Sequence, residues 1–148
     1  MNTFDEVIAF AIKREEDAIQ GYGSMIEVAK IPGISKLLQE LQEEERKHKK
    51  LLQELTEGKV ESYTPTKVID LKISDYLEED TLGAEMDFQQ LLIFAAKKEQ
   101  NAVKLYSKLA EEAESEELKK LFDFLVEQEK SHKLKLETEY EKHVLEWD

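Results

Sequence analysis

The chain has 148 residues, which is enough for one domain with a substantial core, so we expect a single domain over 1–148. Its 34 Asp and Glu against 21 Lys and Arg give a net charge of −13, which disfavours nucleic acid and anionic membranes as partners. The absence of cysteine excludes disulfides, thiolate zinc sites and cysteine-held iron–sulfur clusters, so a bound metal would need oxygen and nitrogen ligands.

Helix A is predicted over residues 4 to 29, where apolar side chains recur three and four residues apart. Pro32-Gly33 interrupts this pattern, and a second stripe runs from Ile34 to Leu55 before Gly58 ends it, which predicts helix B. Because the break between them is short, the two helices are expected to pack as an antiparallel hairpin.

The segment 58–83 contains several β-branched residues and at most one short helix, after Ser74, and we interpret it as a long crossover. The helical stripe returns from about Leu91 to Ala113 as helix C and, after a break, from Leu118 to Leu136 as helix D. The predicted fold is all-α, an antiparallel four-helix bundle with one long crossover between helices B and C.

The two predicted hairpins are copies of one another. Residues 7–55 align with residues 91–139 at a constant offset of 84 without a gap, and 16 of the 49 pairs are identical. Heptad periodicity alone would match apolar residues with apolar residues, but here charged residues and histidines match as well. We interpret the chain as a duplicated helical hairpin.

Ionisable side chains interrupt each apolar stripe near its middle. They are Glu15 in helix A, Glu45 and His48 in helix B, Glu99 in helix C, and Glu129 and His132 in helix D. Counted from the turns near residues 31 and 115, all six lie 14 to 17 residues away. That range spans about 5 Å along a helix axis, so the six side chains are expected to converge at one height in the bundle.

This set of side chains predicts a site for two metal ions. Residues three apart share a helix face, so each Glu-x-x-His pair presents an oxygen and a nitrogen to one ion, and the Glu of helices A and C can complete or bridge the pair. Two divalent ions neutralise four carboxylates that would otherwise repel one another. The mixture of carboxylate and imidazole suits iron or manganese best, admits zinc and disfavours calcium.

These residues resemble the ferritin-like di-iron carboxylate superfamily, and within it the rubrerythrin-like branch. The matching segments are Glu15 with Tyr22, Glu45-Arg46-Lys47-His48, Glu99 with Tyr106, and Glu129-Lys130-Ser131-His132. The resemblance covers helices A to D. It implies a ferritin-like bundle that holds two iron ions, or manganese, with oxidoreductase chemistry on hydrogen peroxide or dioxygen, as in a rubrerythrin-like peroxidase or ferroxidase.

The sequence also departs from its relatives. Full rubrerythrins usually add a cysteine-rich iron domain that supplies electrons, and without cysteine this chain would need an external electron donor. Rubrerythrins tend to carry an extra Glu where this chain has Ala102. Bacterioferritin has a similar site and a haem-binding Met beside the helix B ligand, but Arg46 and Lys130 stand at those places, so no haem is implied.

Several side chains have a second interpretation. Tyr22 and Tyr106 lie seven residues after their glutamates on the same face. Two compatible roles fit them equally: donating hydrogen bonds to carboxylates of the opposite half, and packing in the core. His143 is assigned to the surface or the core edge. Of the runs Glu43-Glu44-Glu45 and Glu111-Glu112, only Glu45 is expected to point inward.

Three functions fit the sequence: a di-metal oxidoreductase, an iron-binding or storage protein without specific turnover, and a metal-free helical interaction module. No catalytic residue separate from the ligands is identified. A homo-oligomer is expected, with a dimer favoured, and the long crossover permits helix exchange between subunits. Because no apolar run has the length of a membrane span and the first residues do not form a secretory signal, we expect a cytoplasmic location and no membrane partner.

Overall fold

The computed structural model describes residues 2–29, 32–56, 68–69 and 87–146. These residues form an all-α bundle with one short strand pair, which confirms the predicted fold class. The helices are α1 (Phe4–Val28), α2 (Pro32–Thr56), α3 (Phe88–Glu112) and α4 (Glu116–Glu146), and the strands are β1 (Asn2–Thr3) and β2 (Val68–Ile69). No helix among the described residues is long and apolar enough to cross a membrane.

The two hairpins pair as the duplication implies. Helix α1 packs mainly on α2, and α3 packs mainly on α4, while contacts of α1 with α3 and of α2 with α4 join the hairpins. Only residues 29–31 separate α1 from α2, so these neighbours run antiparallel. Most of the predicted crossover 58–83, with the short helix expected after Ser74, lies outside the described residues.

Strand β2 lies within the crossover and was not predicted. It pairs antiparallel with β1, with Asn2 opposite Ile69 and Thr3 opposite Val68. β1 directly precedes α1, so this pairing fixes part of the crossover at the start of the first helix.

Two helix starts differ from the sequence analysis. Pro32, which was taken as a break, is the first residue of α2, where its missing N–H costs nothing because first-turn amides have no partner within the helix. Helix α3 starts before Leu91, because Asp87 caps it. The Asp87 carboxylate accepts a 2.8 Å bond from the backbone N–H of Gln90, whose side chain accepts a 2.9 Å bond from the backbone N–H of Asp87.

A polar layer divides the core into two apolar clusters, and every helix contributes to both. One cluster contains Phe122 of α4 and Leu52 of α2, and the other contains Met25 of α1 and Leu92 of α3, all of them buried. In α1, for example, Val7, Ile8 and Ala11 belong to the first cluster and Tyr22, Met25 and Ala29 to the second. The ionisable interruptions lie between the clusters, so apolar packing encloses them from both ends of the bundle.

Candidate metal centre

The six ionisable side chains that the sequence singled out meet in the polar layer. All are buried, with exposures of 2% or less: Glu15, Glu45, His48, Glu99, Glu129 and His132. Their ligand-type atoms form two overlapping groups, in each of which one atom per residue lies within 4.8 Å of the others. The first group, here named the His48 position, contains Glu15, Glu45, His48 and Glu129, and the second, the His132 position, contains Glu45, Glu99, Glu129 and His132.

The overlap shows which carboxylates sit between the two positions. Glu45 and Glu129 belong to both groups, whereas Glu15 and Glu99 belong to one each. The sequence had left open whether the single glutamates of the first and third helices complete or bridge the pair. In the structure, the glutamates of the two Glu-x-x-His motifs reach both positions and would be shared by two bound ions, while each single glutamate reaches one position only.

Each of the six side chains also presents a buried atom without a hydrogen-bond partner. These atoms are Glu15 Oε2, Glu45 Oε1, His48 Nδ1, Glu99 Oε2, Glu129 Oε1 and His132 Nδ1. His48 Nδ1 lies 2.9 Å from Glu129 Oε1, close enough for an electrostatic contact but not aligned for a hydrogen bond. Buried polar atoms are nearly always partnered in folded proteins, so one orphan from every member of the set indicates room for cations, and the residues fit two metal ions.

Two tyrosines hold the glutamates that belong to one position each. The Tyr22 hydroxyl donates a 2.6 Å hydrogen bond to Oε1 of Glu99, and the Tyr106 hydroxyl donates a 2.5 Å bond to Oε1 of Glu15. Each bond joins one hairpin to the other, as expected from the sequence. Each tyrosine bonds Oε1 and thereby orients the carboxylate, so that the unpartnered Oε2 remains available to a metal ion.

Arg14 enters the same layer, which the sequence analysis did not predict. Its Nη1 donates hydrogen bonds of 2.7 Å to both Glu45 Oε2 and Glu129 Oε2 and of 3.2 Å to Glu15 Oε1, while Nη2 lies 3.3 Å from Glu99 Oε1. The Arg14 side chain is only 14% exposed. Its guanidinium therefore supplies one positive charge to four buried carboxylates.

Both histidines face the polar layer through Nδ1, but the surroundings of their outer nitrogen, Nε2, differ. His132 Nε2 contacts Oε2 of Glu44, a residue whose side chain is 33% exposed. The sequence analysis placed Glu44 on a solvated face with only Glu45 inward, and this was wrong, because the side chain reaches across to α4. The two imidazole rings stack with centroids 5.7 Å apart and planes 12° apart.

Burial and close packing of charges shift the pKa values. Burial, together with the charge of Glu45, raises the pKa of Glu15 to about 7. Burial disfavours protonated His48 and His132, but neighbouring carboxylates outweigh that effect and raise the pKa of His48 to about 9 and of His132 to about 10. The metal-free site thus retains protons that a metal ion would displace.

A surface groove of about 490 Å³ reaches one side of the site. His48 lines it together with Glu44, Phe124 and Gln128. The Phe124 ring, 48% exposed, meets the His48 ring edge-on with centroids 6.4 Å apart. A small molecule in this groove would lie beside the His48 position.

The remaining residues of interest lie elsewhere. Glu43 is exposed and forms a 3.2 Å ion pair with Arg46 on the same helix, and Lys130 pairs with Glu127 at 3.7 Å. Glu111 is exposed, as expected. The side chain of His143 lies outside the described residues.

Comparison with known proteins gives two matches. The model of a protein family described as rubrerythrin matches residues 6–140. The solved structure of a hypothetical protein from Pyrococcus furiosus matches with a TM-score of 0.74 and 29% sequence identity, covering 97% of this chain and 90% of that one. A search of curated proteins gives no match.

Proposed function

Because the chain belongs to the rubrerythrin family, we propose that it is a di-iron carboxylate protein that acts as an oxidoreductase on hydrogen peroxide or dioxygen. The observation that carries this proposal is the set of six buried, unpartnered ligand atoms, one from each predicted ligand. Four carboxylates and two imidazoles match the donors that iron and manganese accept, and two divalent ions neutralise the four carboxylates.

The protein's own contribution is geometry and exclusion of water. Glu45 and Glu129, which belong to both ligand groups, would hold both ions, and the tyrosine hydrogen bonds hold Glu15 and Glu99 in place. The apolar clusters above and below the polar layer keep bulk water from the site. When bound, two iron ions supply one-electron redox chemistry toward peroxide or dioxygen.

Electron balance sets the requirement for a partner. Reduction of hydrogen peroxide to two water molecules consumes two electrons and two protons, and the cysteine-free chain has no second redox centre held by thiolates. A peroxidase of this kind therefore takes electrons from an external donor. In the ferroxidase alternative, the ferrous ions are themselves the reductant. The groove beside His48 offers a route of entry for either oxidant.

Two other functions have an observation in their favour. The net charge of −13 would gather cations and favours iron binding or storage without specific turnover. Arg14 partly neutralises the carboxylates without metal, which favours a metal-free interaction module. We place the interaction module behind the two metal-binding functions, because Arg14 leaves the six ligand atoms without hydrogen-bond partners. Storage would use the same ligand atoms, so a measurement of turnover separates it from the oxidoreductase.

Anaerobic loading separates these functions. Chelator-treated protein is incubated with Fe²⁺, desalted and analysed for metal, and its absorbance is recorded before and after hydrogen peroxide is added. We expect two irons per chain and catalytic peroxide consumption once a reductant is supplied. Failure to retain either iron or, in a parallel sample loaded with Mn²⁺, manganese would refute the di-metal proposal. Retention without turnover, in a cage-sized assembly rather than the expected dimer, would indicate storage.

A matched pair of variants makes the loading experiment specific. Glu129→Gln changes a buried carboxylate that belongs to both metal positions, whereas Glu43→Gln changes an exposed carboxylate on a helix that also contributes ligands. Iron content should fall in the first variant and stay at the wild-type value in the second. Equal iron content in both would show that the retained metal binds elsewhere.

A further inference from the structure

The two halves of the duplicated hairpin differ at the metal centre. Glu44 contacts the histidine of the His132 position, and Arg14 bonds the glutamate that belongs to the His48 position alone. On the basis of the proposed di-metal function, we infer that the two metal positions differ in affinity. The His132 position binds the first ion with Arg14 still in the site, and the His48 position binds the second only after Arg14 withdraws. Glu44 and Arg14 are therefore positioning residues that set the order of loading.

Glu44 favours the His132 position. Its carboxylate contacts Nε2 of His132, while Nδ1 of the same ring faces Glu45 and Glu99 at 3.2 and 3.5 Å. A carboxylate on the outer nitrogen fixes the proton there, leaves the Nδ1 lone pair for a metal ion and makes the imidazole a stronger donor.

His48 lacks the equivalent partner. The residue related to Glu44 by the 84-residue repeat is Gln128, a neutral amide that lines the groove beside His48. Among the described residues, none forms a hydrogen bond with Nε2 of His48. The His48 ring is thus the weaker donor and is less firmly oriented than the His132 ring.

Arg14 acts on the His48 position. Its Nη1 donates hydrogen bonds to the shared Glu45 and Glu129 and also, at 3.2 Å, to Glu15, which belongs to this position alone. Glu99, which belongs to the other position alone, lies 3.3 Å from Nη2, an atom without a hydrogen-bond partner. One divalent ion together with Arg14 leaves one negative charge among the four carboxylates. Two divalent ions already neutralise them, so a guanidinium kept in the site would be an uncompensated buried cation. One ion can therefore coexist with Arg14, and the second must displace it.

The residue that the repeat relates to Arg14 behaves differently. Lys98 is its equivalent at the 84-residue offset, and the Lys98 ammonium lies 5.2 Å from the centre of the Phe94 ring. The two hairpins thus place different cations beside the same kind of ligand, and Arg14 is the one that enters the carboxylate layer.

The inference is tested by titrating the chelator-treated protein with Fe²⁺ anaerobically and measuring the heat of binding by calorimetry. The wild type should bind one ion tightly and a second at least about 10-fold more weakly. Glu44→Gln, which gives α2 the same neutral amide that Gln128 provides at the repeat-related place on α4, should weaken the first step by about 10- to 100-fold and leave the second nearly unchanged. Gln128→Glu, the reverse exchange, should strengthen the second step.

Arg14→Gln should strengthen the second step and lower the thermal stability of the metal-free protein, whereas the matched variant Lys98→Gln should do neither. If Arg14→Gln does not fold without metal, the Glu44 and Gln128 variants still decide the question, because neither removes a buried charge. Two equal steps in the wild type, or a Glu44→Gln variant with both steps unchanged, would overturn the inference and leave the proposed function standing. Absence of binding in every variant would instead refute the proposed function.

Discussion

Tyr106 on α3 donates a 2.5 Å hydrogen bond to Glu15 on α1, so the side chain that completes the His48 position is held by the opposite hairpin. The reciprocal bond, from Tyr22 on α1 to Glu99 on α3, measures 2.6 Å. Both hydroxyls are buried in the polar layer, where each bond orients a carboxylate and joins the hairpins. These bonds therefore affect both the stability of the bundle and the geometry of the site.

Replacing Tyr106 by Phe should destabilise the metal-free protein. The variant keeps the ring in the core but leaves Oε1 of Glu15 without its hydroxyl donor, a loss of about 1–3 kcal/mol for a buried hydrogen bond to a charged group. Urea unfolding monitored by circular dichroism gives the difference. Tyr140→Phe is the control, since that tyrosine is only partly buried against the second core cluster, and its effect should stay within about 0.5 kcal/mol. Equal losses in the two variants would contradict a special role for the Tyr106 hydroxyl.

Metal-free protein should become less stable as the pH rises from about 6 to about 9. The folded-state pKa values of Glu15, His48 and His132, about 7, 9 and 10, all lie above the ordinary values of 4.5 and 6.5. Groups that hold protons more tightly in the folded state contribute fully below their unfolded pKa and lose that contribution as the pH passes through the folded pKa. The free energy of unfolding of chelator-treated protein, measured by urea titration across this range, should therefore fall.

The histidine contribution to this slope can be isolated with the double variant His48→Gln/His132→Gln. It should show a flatter dependence above about pH 7, because the two histidine pKa values that neighbouring carboxylates raise to about 9 and about 10 no longer contribute. Wild-type stability that increases with pH in this range would contradict the charge arrangement described for the metal-free site.

The sequence was sufficient to predict the helices and the height of the six polar side chains, because both follow from periodicity along a single helix. The periodicity did not indicate that the side chain at position 14 enters the polar layer. Arg14 lies next to Glu15 in sequence, and a long flexible side chain there can point to solvent or into the bundle, a choice decided by carboxylates on three other helices. Glu44 was missed for the same reason, since its partner His132 is on α4.

The strand pairing between distant segments could not be predicted from the sequence either. The pairing of β1 with β2 joins Asn2–Thr3 to Val68–Ile69, and two-residue strands are too short to show an alternating pattern. The start of α3 was also missed, although it carried a local signal: Asp87 and Gln90 have the spacing of a capping box.

The cap gives a third prediction. Asp87→Ala removes the acceptor of the 2.8 Å bond from the Gln90 amide and should destabilise the protein by about 1 kcal/mol. Asp87→Asn, which retains a side-chain oxygen, should recover most of that loss. Thermal unfolding of the two variants makes the comparison. If Ala and Asn were equally destabilising, the effect would come from the lost charge rather than from the cap.

The overlap of the two ligand groups makes the last prediction, which concerns the number of ions bound. Glu45 belongs to both positions, whereas Glu15 belongs only to the His48 position. Glu45→Gln should therefore weaken the binding of both ions. Glu15→Gln should weaken binding at the His48 position only, so that the His132 position still binds its ion. The glutamine keeps the volume of each side chain, so lost metal reflects lost charge and donor strength rather than a cavity.

Elemental analysis after anaerobic loading and desalting should give close to no iron for Glu45→Gln and close to one per chain for Glu15→Gln. Glu99→Gln provides the symmetric comparison, because it should also retain about one ion, but in the His48 position, with lower affinity than the ion kept by Glu15→Gln. Two independent mononuclear sites would give a different pattern: Glu45→Gln would then lose one ion only. Equal losses in the Glu45 and Glu15 variants would thus show that Glu45 does not bridge the two positions.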